Sequence, residues 1–131
     1  MKKISILLFL PLLFSCANQS PVQNSMSFSQ AKGLYDQQWV QHKDDEKYIS
    51  FVGEWLRFKN TNSNPFEARC YFATDAKERF ILIQNEKGII QELIAENDNR
   101  KTRCFRKELV GNKYPRPPFA PFFTVLTMGA P

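Results

Sequence analysis

The spacing of hydrophobic positions changes along the chain, and in the region that begins at Phe28 it has the period of a helix. Apolar residues recur every three or four positions, at Phe28, Ala31, Tyr35 and Trp39. A polar segment, 42–46, interrupts the pattern, and Asp44 is the expected N-terminal cap of a second helix. The stripe of helical spacing on that helix comprises Tyr48, Ile49, Val52, Trp55 and Leu56. The pattern leaves open whether this region forms two helices or one long bent helix.

Strand-like spacing begins after the segment 60–65, where Asn, Ser and Pro favour turns and stop the helix. Residues 66–72 alternate between apolar and polar and predict a short strand. Two β-rich runs, 80–83 and 89–95, are joined by a loop ending in Gly88, which can supply the positive φ that closes such a turn. This part of the sequence predicts a β-hairpin.

The segment 97–111 fits a helix better than a strand, because neither face of a strand would be apolar. As a helix it is capped by Asn97 or Asp98 and followed by Gly111. One side then carries Cys104, Phe105 and Leu109, whereas the basic residues lie elsewhere: Arg100, Arg103, Arg106 and Lys107. The proline-rich residues 114–121 can only be extended, and 122–128 predict a final strand.

These elements predict an α+β fold with an N-terminal helix or helix pair, a small antiparallel sheet containing a hairpin, a second helix and a final strand. The chain has 131 residues, which suits one domain, and we place it at 31–131. Charged residues at 24% and aromatic residues at 14% exclude a wholly disordered chain.

The first residues have the order of a secretory signal. Lys2 and Lys3 precede the apolar stretch 4–14, and a small residue, Ser15, ends it. The stretch is too short to span a bilayer, which takes about 20 apolar residues. We therefore interpret 1–15 as a signal peptide.

The end of this signal, Leu13-Phe14-Ser15-Cys16, resembles the bacterial lipobox. The resemblance implies that Cys16 receives a diacylglycerol and becomes the mature N-terminus, and Ala17 after it points to the outer membrane, facing the periplasm. An ordinary signal peptide with an incidental cysteine is the alternative. Residues 16–30, rich in Ser, Asn and Gln, are predicted to be the lipidated cysteine and a flexible tether.

Setting Cys16 aside leaves Cys70 and Cys104, which can form only one pair. In an oxidising compartment such a pair predicts a disulfide, which would stabilise the domain by roughly 3 to 4 kcal/mol on the chain-entropy model. Metal binding and a nucleophilic thiol are the competing interpretations. One histidine and two separated cysteines make no zinc pattern.

The order of elements is similar to that of the C-terminal domain of TonB and TolA proteins. The likeness covers about 47–128 and rests on the hairpin at 80–90, on Cys104-Phe105 in a basic helix, and on the proline-rich residues 114–118. TolA-type domains also link a cysteine near the first strand to one on the following helix, which Cys70 and Cys104 could reproduce.

The resemblance implies a binding domain that recruits a partner by adding a strand to an exposed sheet edge. The candidate edge is the strand at 122–128, with Phe123, Val125 and Thr127 as its binding residues. The alternative is that its aromatic residues simply pack on the helices. TonB and TolA also carry an inner-membrane helix and a long stalk. We found neither in this chain, so we expect binding rather than force transmission.

No motif of a hydrolase, metalloprotease, nucleotide-binding loop or dinucleotide fold occurs in the sequence, so we predict no enzyme, no cofactor and no metal site. The sole histidine, His42, adjoins the acidic residues 44–46. A solvated or helix-end role suits it better than catalysis, and helix capping explains the acidic residues better than calcium binding.

The formal net charge of +5 would suit a nucleic-acid partner, but two of its lysines leave with the signal and the compartment excludes nucleic acid. The remaining basic residues concentrate on the predicted helix at 97–111. We expect a non-catalytic binding module for an envelope protein. The alternative is an envelope-structural lipoprotein that contacts lipid or peptidoglycan through Arg100, Arg103, Arg106 and Lys107.

Overall fold

The computed structural model describes residues 25–62 and 65–129, and the fold is α+β, as predicted. These residues form four helices and three strands in the order α1 (Phe28–His42), α2 (Glu46–Thr61), α3 (Pro65–Tyr71), β1 (Glu78–Gln84), β2 (Ile90–Ala95), α4 (Arg100–Leu109) and β3 (Phe122–Met128). The predicted signal peptide, Cys16 and most of the predicted tether lie outside the described residues.

The three strands form one antiparallel sheet in the order β2-β1-β3, with helices on both faces. Phe80 and Leu82 of β1 pack in the cluster built with α2 and α4, whereas Ile81 and Ile83 pack against α1. Because both faces of the central strand are covered, β1 is apolar at consecutive positions and does not alternate.

The N-terminal region forms two helices, α1 and α2, which answers the question that the pattern left open. Helix α1 begins earlier than the predicted domain boundary at residue 31. Ser27 and Gln30 form a reciprocal capping box in which each side chain accepts a hydrogen bond from the other's backbone N–H. Residues 28–30 therefore belong to the helix and not to the tether.

Helix α2 is capped by Asp45, and the expected cap Asp44 is wrong by one position. The Asp45 carboxylate accepts a hydrogen bond from the Lys47 backbone N–H at 2.9 Å. The buried residues of this helix are Tyr48, Phe51 and Trp55. Two residues of the predicted stripe, Ile49 and Leu56, lie at its exposed margin instead.

The predicted strand at 66–72 is wrong, because residues 65–71 form helix α3. Pro65 occupies the first position of the helix, where a missing N–H costs nothing. The alternating pattern does not describe the burial either, since Cys70 is fully buried whereas Ala68 and Phe72 are exposed. Helix α3 packs against α4, to which the disulfide of Cys70 joins it. This packing outweighs a local pattern that is only seven residues long.

The hairpin is confirmed, with Gly88 at φ 83° in its loop. Helix α4 is also confirmed, and Gly111 comes just after its end at φ 92°. The N-terminal cap of α4 is Asn99, not the expected Asn97 or Asp98, because Asn99 and Thr102 form a reciprocal capping box.

The proline-rich segment 114–121 forms neither helix nor strand, but the prediction that all of it is extended is wrong, because the backbone bends at 118–121. It closes the core between α4 and β3. Tyr114 is buried and stacks on Trp55 with ring centroids 5.1 Å apart. Gln84, also fully buried, accepts a hydrogen bond from Trp55 Nε1 at 2.8 Å and donates to the Gly88 and Pro115 carbonyls. One amide thus connects α2, the hairpin loop and this segment.

Candidate functional site

The predicted final strand lies at an edge of the sheet, because no strand of residues 25–62 and 65–129 lies beyond β3. Phe123 stands opposite Ile83 of β1, yet its N–H and C=O both bond to Gln38, on the side away from β1. In an antiparallel pair, residues alternate between facing the partner strand and facing away from it. The outward-facing backbone groups of β3 therefore belong to Phe123, Val125 and Thr127, the residues that the sequence analysis proposes for binding; their role in binding stays a prediction.

The side chains of these three residues are placed differently from their backbones. Phe123 is buried in the cluster beneath α1, and Val125 packs against that cluster. Thr127 is exposed. The side chain of Phe123 therefore packs against a helix, which was the alternative to binding, while its backbone faces outward. Strand addition needs only the backbone, so burial of a side chain does not by itself prevent pairing at that residue.

The outer edge of β3 is covered at one end by a side chain of α1. Gln38 is only 5% exposed, and its carboxamide donates to the Phe123 carbonyl at 2.9 Å and accepts from the Phe123 N–H at 2.9 Å. Its Nε2 also lies 3.3 Å from the Tyr48 hydroxyl. The open part of the edge thus begins at Val125.

An apolar groove runs between α1 and α2 along this edge, and we call it the α1–α2 groove. Its volume is about 180 Å³, and it is lined by Tyr35, Trp39, Tyr48, Val52, Trp55, Leu56, Phe122, Phe123, Thr124 and Val125. Burial, and to a lesser extent the nearby Tyr48, raises the pKa of the Tyr35 phenol, so this phenol stays neutral to a higher pH than an exposed one. The hydroxyl of Thr124 is buried and finds no hydrogen-bond partner among the described residues.

A second hollow adjoins the other half of β3, between α2 and α3. Its volume is about 420 Å³, and its walls include Leu56, Tyr71, Phe72, Leu126 and Met128. Leu56 lines both depressions, so apolar surface continues along the length of the strand. Three large apolar side chains beside the edge are exposed by 48% (Trp39), 46% (Leu56) and 69% (Phe72). Contiguous apolar exposure of this kind marks interaction surfaces more often than scattered single residues do.

The predicted basic surface of α4 is partly engaged within the protein. Arg103 and Arg106 approach the same carboxylate, Asp98, at 3.4 and 3.7 Å. Arg106 also donates from Nε to the Leu93 carbonyl at 3.2 Å and so covers part of the opposite sheet edge, β2. Arg100 and Lys107 are exposed. The four residues therefore do not form one uniform patch of solvated cations.

The predicted disulfide joins Cys70 of α3 to Cys104 of α4, with an S–S distance of 1.98 Å and a sequence separation of 34 residues. It secures α3, one wall of the hollow beside β3. The predicted lipidation site, Cys16, lies outside the described residues.

The sequence patterns did not identify two residues of this region, Gln38 and Thr124. Gln38 falls at helical spacing with Ala31 and Tyr35, so a polar residue on an apolar stripe was the available signal. Thr124 gave no signal, because a threonine is ordinary in a strand.

Within residues 25–62 and 65–129, no group of three His, Cys, Asp or Glu side chains could hold a metal ion. No helix in the same ranges is long and apolar enough to cross a bilayer.

No family model, no curated protein and no solved structure matches this chain. The resemblances to the lipobox and to the TonB and TolA domain therefore stay predictions. The geometry of the β3 edge, the α1–α2 groove and Gln38 stands independently of them.

Proposed function

We propose that this protein is a lipoprotein of the outer membrane whose α+β domain, on the periplasmic side, binds an extended segment of an envelope protein by adding it as a strand to β3. The domain acts as a binding module and not as an enzyme. Cys16 carries the lipid, and a tether that ends before α1 joins it to the domain.

The observation that carries the proposal is the open part of the β3 edge beside an apolar groove. Val125 and Thr127 turn their backbone N–H and C=O groups outward, and these groups give an extended peptide its hydrogen bonds. The α1–α2 groove would receive an apolar side chain of the same peptide. Backbone pairing supplies affinity and the groove supplies specificity.

A photocrosslinking amino acid at Thr127, in the full-length protein in cells, tests this proposal. Thr127 is exposed at the open edge, so we expect a discrete adduct with an envelope protein. The matched control places the same amino acid at Glu86, which is exposed on the hairpin loop and should give no such adduct. Equal labelling patterns at both positions would contradict strand addition at β3.

The anchor is tested separately by metabolic labelling with a fatty acid. Wild-type protein should incorporate the label and float with outer-membrane vesicles, whereas Cys16→Ala should do neither. Labelling of the Cys16→Ala variant would refute the lipid site, and sedimentation of the wild type with inner membranes would refute the outer-membrane location.

The alternative proposal, contact with lipid or peptidoglycan through α4, rests on the exposure of Arg100, Arg103 and Lys107. It has less support because Arg103 and Arg106 share Asp98. Charge reversal of Arg103 and Lys107 separates the two proposals. Loss of sedimentation with isolated sacculi or vesicles would favour the alternative, and unchanged sedimentation together with an unchanged Thr127 adduct would favour the β3 edge.

A further inference from the structure

Gln38 occupies the place that one residue of a neighbouring strand would take. A primary carboxamide has a C=O and one N–H that point to the same side, as the C=O and N–H of one residue in an extended strand do. Gln38 uses both on the same residue, Phe123, at 2.9 Å each. This is the exchange of two hydrogen bonds that joins a facing residue pair in an antiparallel ladder.

The contact is held from several sides. Helix α1 is fixed to the sheet by the fully buried Ala31 and by Phe123, whose side chain lies in the same cluster. The hydroxyl of Tyr48, on α2, lies 3.3 Å from Gln38 Nε2. Gln38 therefore cannot swing aside without leaving buried polar groups on both itself and Phe123 unpaired, which is unfavourable.

We infer that Gln38 is an autoinhibitory contact that sets the register of the partner on β3. The inference rests on the proposed strand addition and adds the position and length of the strand that binds. The incoming strand pairs with Val125 and Thr127, and it must end or turn away before Phe123, where the carboxamide already stands. The partner is thus a short extended segment. We expect it to be about four residues long, because every second residue of β3 faces outward and two such residues remain open. One of its apolar side chains faces the α1–α2 groove.

Removal of the carboxamide should lengthen the open edge. In Gln38→Ala, the N–H and C=O of Phe123 lose their partners, and an arriving strand regains both hydrogen bonds. Because one net hydrogen bond corresponds to about fivefold in affinity, we expect the yield of the Thr127 adduct to rise several-fold. Gln38→Leu keeps more of the buried volume without the polar group and should act in the same direction, which guards against a folding defect specific to alanine.

Amide hydrogen exchange of the full-length protein tests the contact without any partner. We expect the Phe123 amide to exchange slowly in the wild type and rapidly in Gln38→Ala, while the Ile81 amide in the central strand is unchanged. Tyr48→Phe removes only the hydroxyl beside Gln38 and should leave the Phe123 amide protected. Equal exchange of Phe123 in the wild type and in Gln38→Ala would overturn the contact.

The two measurements separate the failure of this inference from that of the proposed function. No Thr127 adduct in any variant would refute strand addition, whatever the exchange data show. An adduct whose yield is unchanged or lower in both Gln38→Ala and Gln38→Leu would refute autoinhibition while leaving strand addition intact. A higher yield together with faster Phe123 exchange is the result that supports the inference.

Discussion

At the scale of single residues, several polar side chains in the interior are each matched to backbone atoms. Lys101 is fully buried, and its ammonium donates to the Ala76 carbonyl at 2.7 Å and lies 5.1 Å from the centre of the Tyr71 ring. Gln84 and Gln38 are buried with the same kind of backbone partner. Buried polar groups matched in this way fix the positions of the segments that they join.

Lys101→Met should destabilise the domain because it keeps the apolar stem but leaves the Ala76 carbonyl without its donor. We expect a loss of about 1 to 3 kcal/mol in the free energy of unfolding, measured by urea titration. The exposed Lys107, on the same helix, is the matched control, and Lys107→Met should change stability by less than about 0.5 kcal/mol. Equal losses in the two variants would contradict a special role for Lys101.

The pair Arg79–Glu96 should be visible in the titration of a carboxylate. Arg79 donates to both oxygens of Glu96, at 2.8 and 2.6 Å, and this contact lowers the pKa of Glu96. The pair's contribution to stability is present above the ordinary glutamate pKa and is lost as the pH falls through the lowered value. In an NMR titration, Arg79→Met should return the Glu96 pKa to its ordinary range. An unchanged value would refute the pairing.

At the scale of secondary structure elements, glycines and the disulfide fix how the elements meet. The loop between β1 and β2 passes so close to the proline-rich segment that a Cβ on Gly88 would overlap the Tyr114 carbonyl oxygen. Gly111, after α4, has a similar φ but open space around it. The two positions therefore separate backbone strain from steric overlap.

Gly88→Ala should cost about 3 kcal/mol, since it combines a left-handed backbone with overlap against the backbone of the proline-rich segment. Gly111→Ala carries only the backbone strain, so about 1 to 2 kcal/mol is expected. Thermal or urea unfolding of both variants provides the comparison. A loss at Gly111 as large as that at Gly88 would show that the approach to Tyr114 contributes nothing.

Reduction of Cys70–Cys104 should lower the free energy of unfolding by about 3 to 4 kcal/mol, because it releases the loop of 34 residues in the unfolded chain. The measurement is the urea midpoint with and without a dithiol reductant. The Cys70→Ser/Cys104→Ser double variant should show the lowered midpoint in both conditions. A wild-type midpoint insensitive to reduction would contradict the assigned role.

At the scale of the whole molecule, the sheet is covered on both faces and each of its edges is partly capped by one side chain. Gln38 covers β3 at Phe123, and Arg106 covers β2 at Leu93. Edge strands invite unwanted pairing, and natural proteins shield them with local devices of this kind. The part of β3 from Val125 onward stays available, beside the apolar walls of α1, α2 and α3.

Thr127→Pro tests whether that available edge is used. The outward N–H of Thr127 is removed, while the hydrogen bonds of Leu126 and Met128 to β1 are preserved. We expect a folded protein that loses capture of its envelope partner, measured with the photocrosslinking amino acid placed at Val125 in both proteins. Leu126→Pro removes a hydrogen bond of the ladder itself and should impair folding. Undiminished capture by Thr127→Pro would contradict pairing at this residue.

The elements that were predicted correctly are those whose information is local in the chain. The hairpin is specified by two apolar runs around Gly88, α4 by helical spacing that ends at Gly111, and β3 by a β-rich run after prolines that can form no regular structure. The pairing of Cys70 with Cys104 also came from counting, because two cysteines left over can pair in only one way. Local patterns of this kind were sufficient to predict the α+β class.

Features that depend on residues far apart in the chain are known only from the folded protein. Most of the segment 66–72 is helical because packing against α4 outweighs its weak alternation. Lys101 is buried, and its ammonium donates to two carbonyls of the loop between α3 and β1. Its position on a basic helix gave no indication of this burial. Gln38 bonds to a residue 85 positions away, and that contact decides which part of the β3 edge is open. The Gln38 contact comes from the docking of α1 on the sheet, and the other two come from the packing of α4 against α3 and the loop that follows α3. No local pattern encodes these contacts.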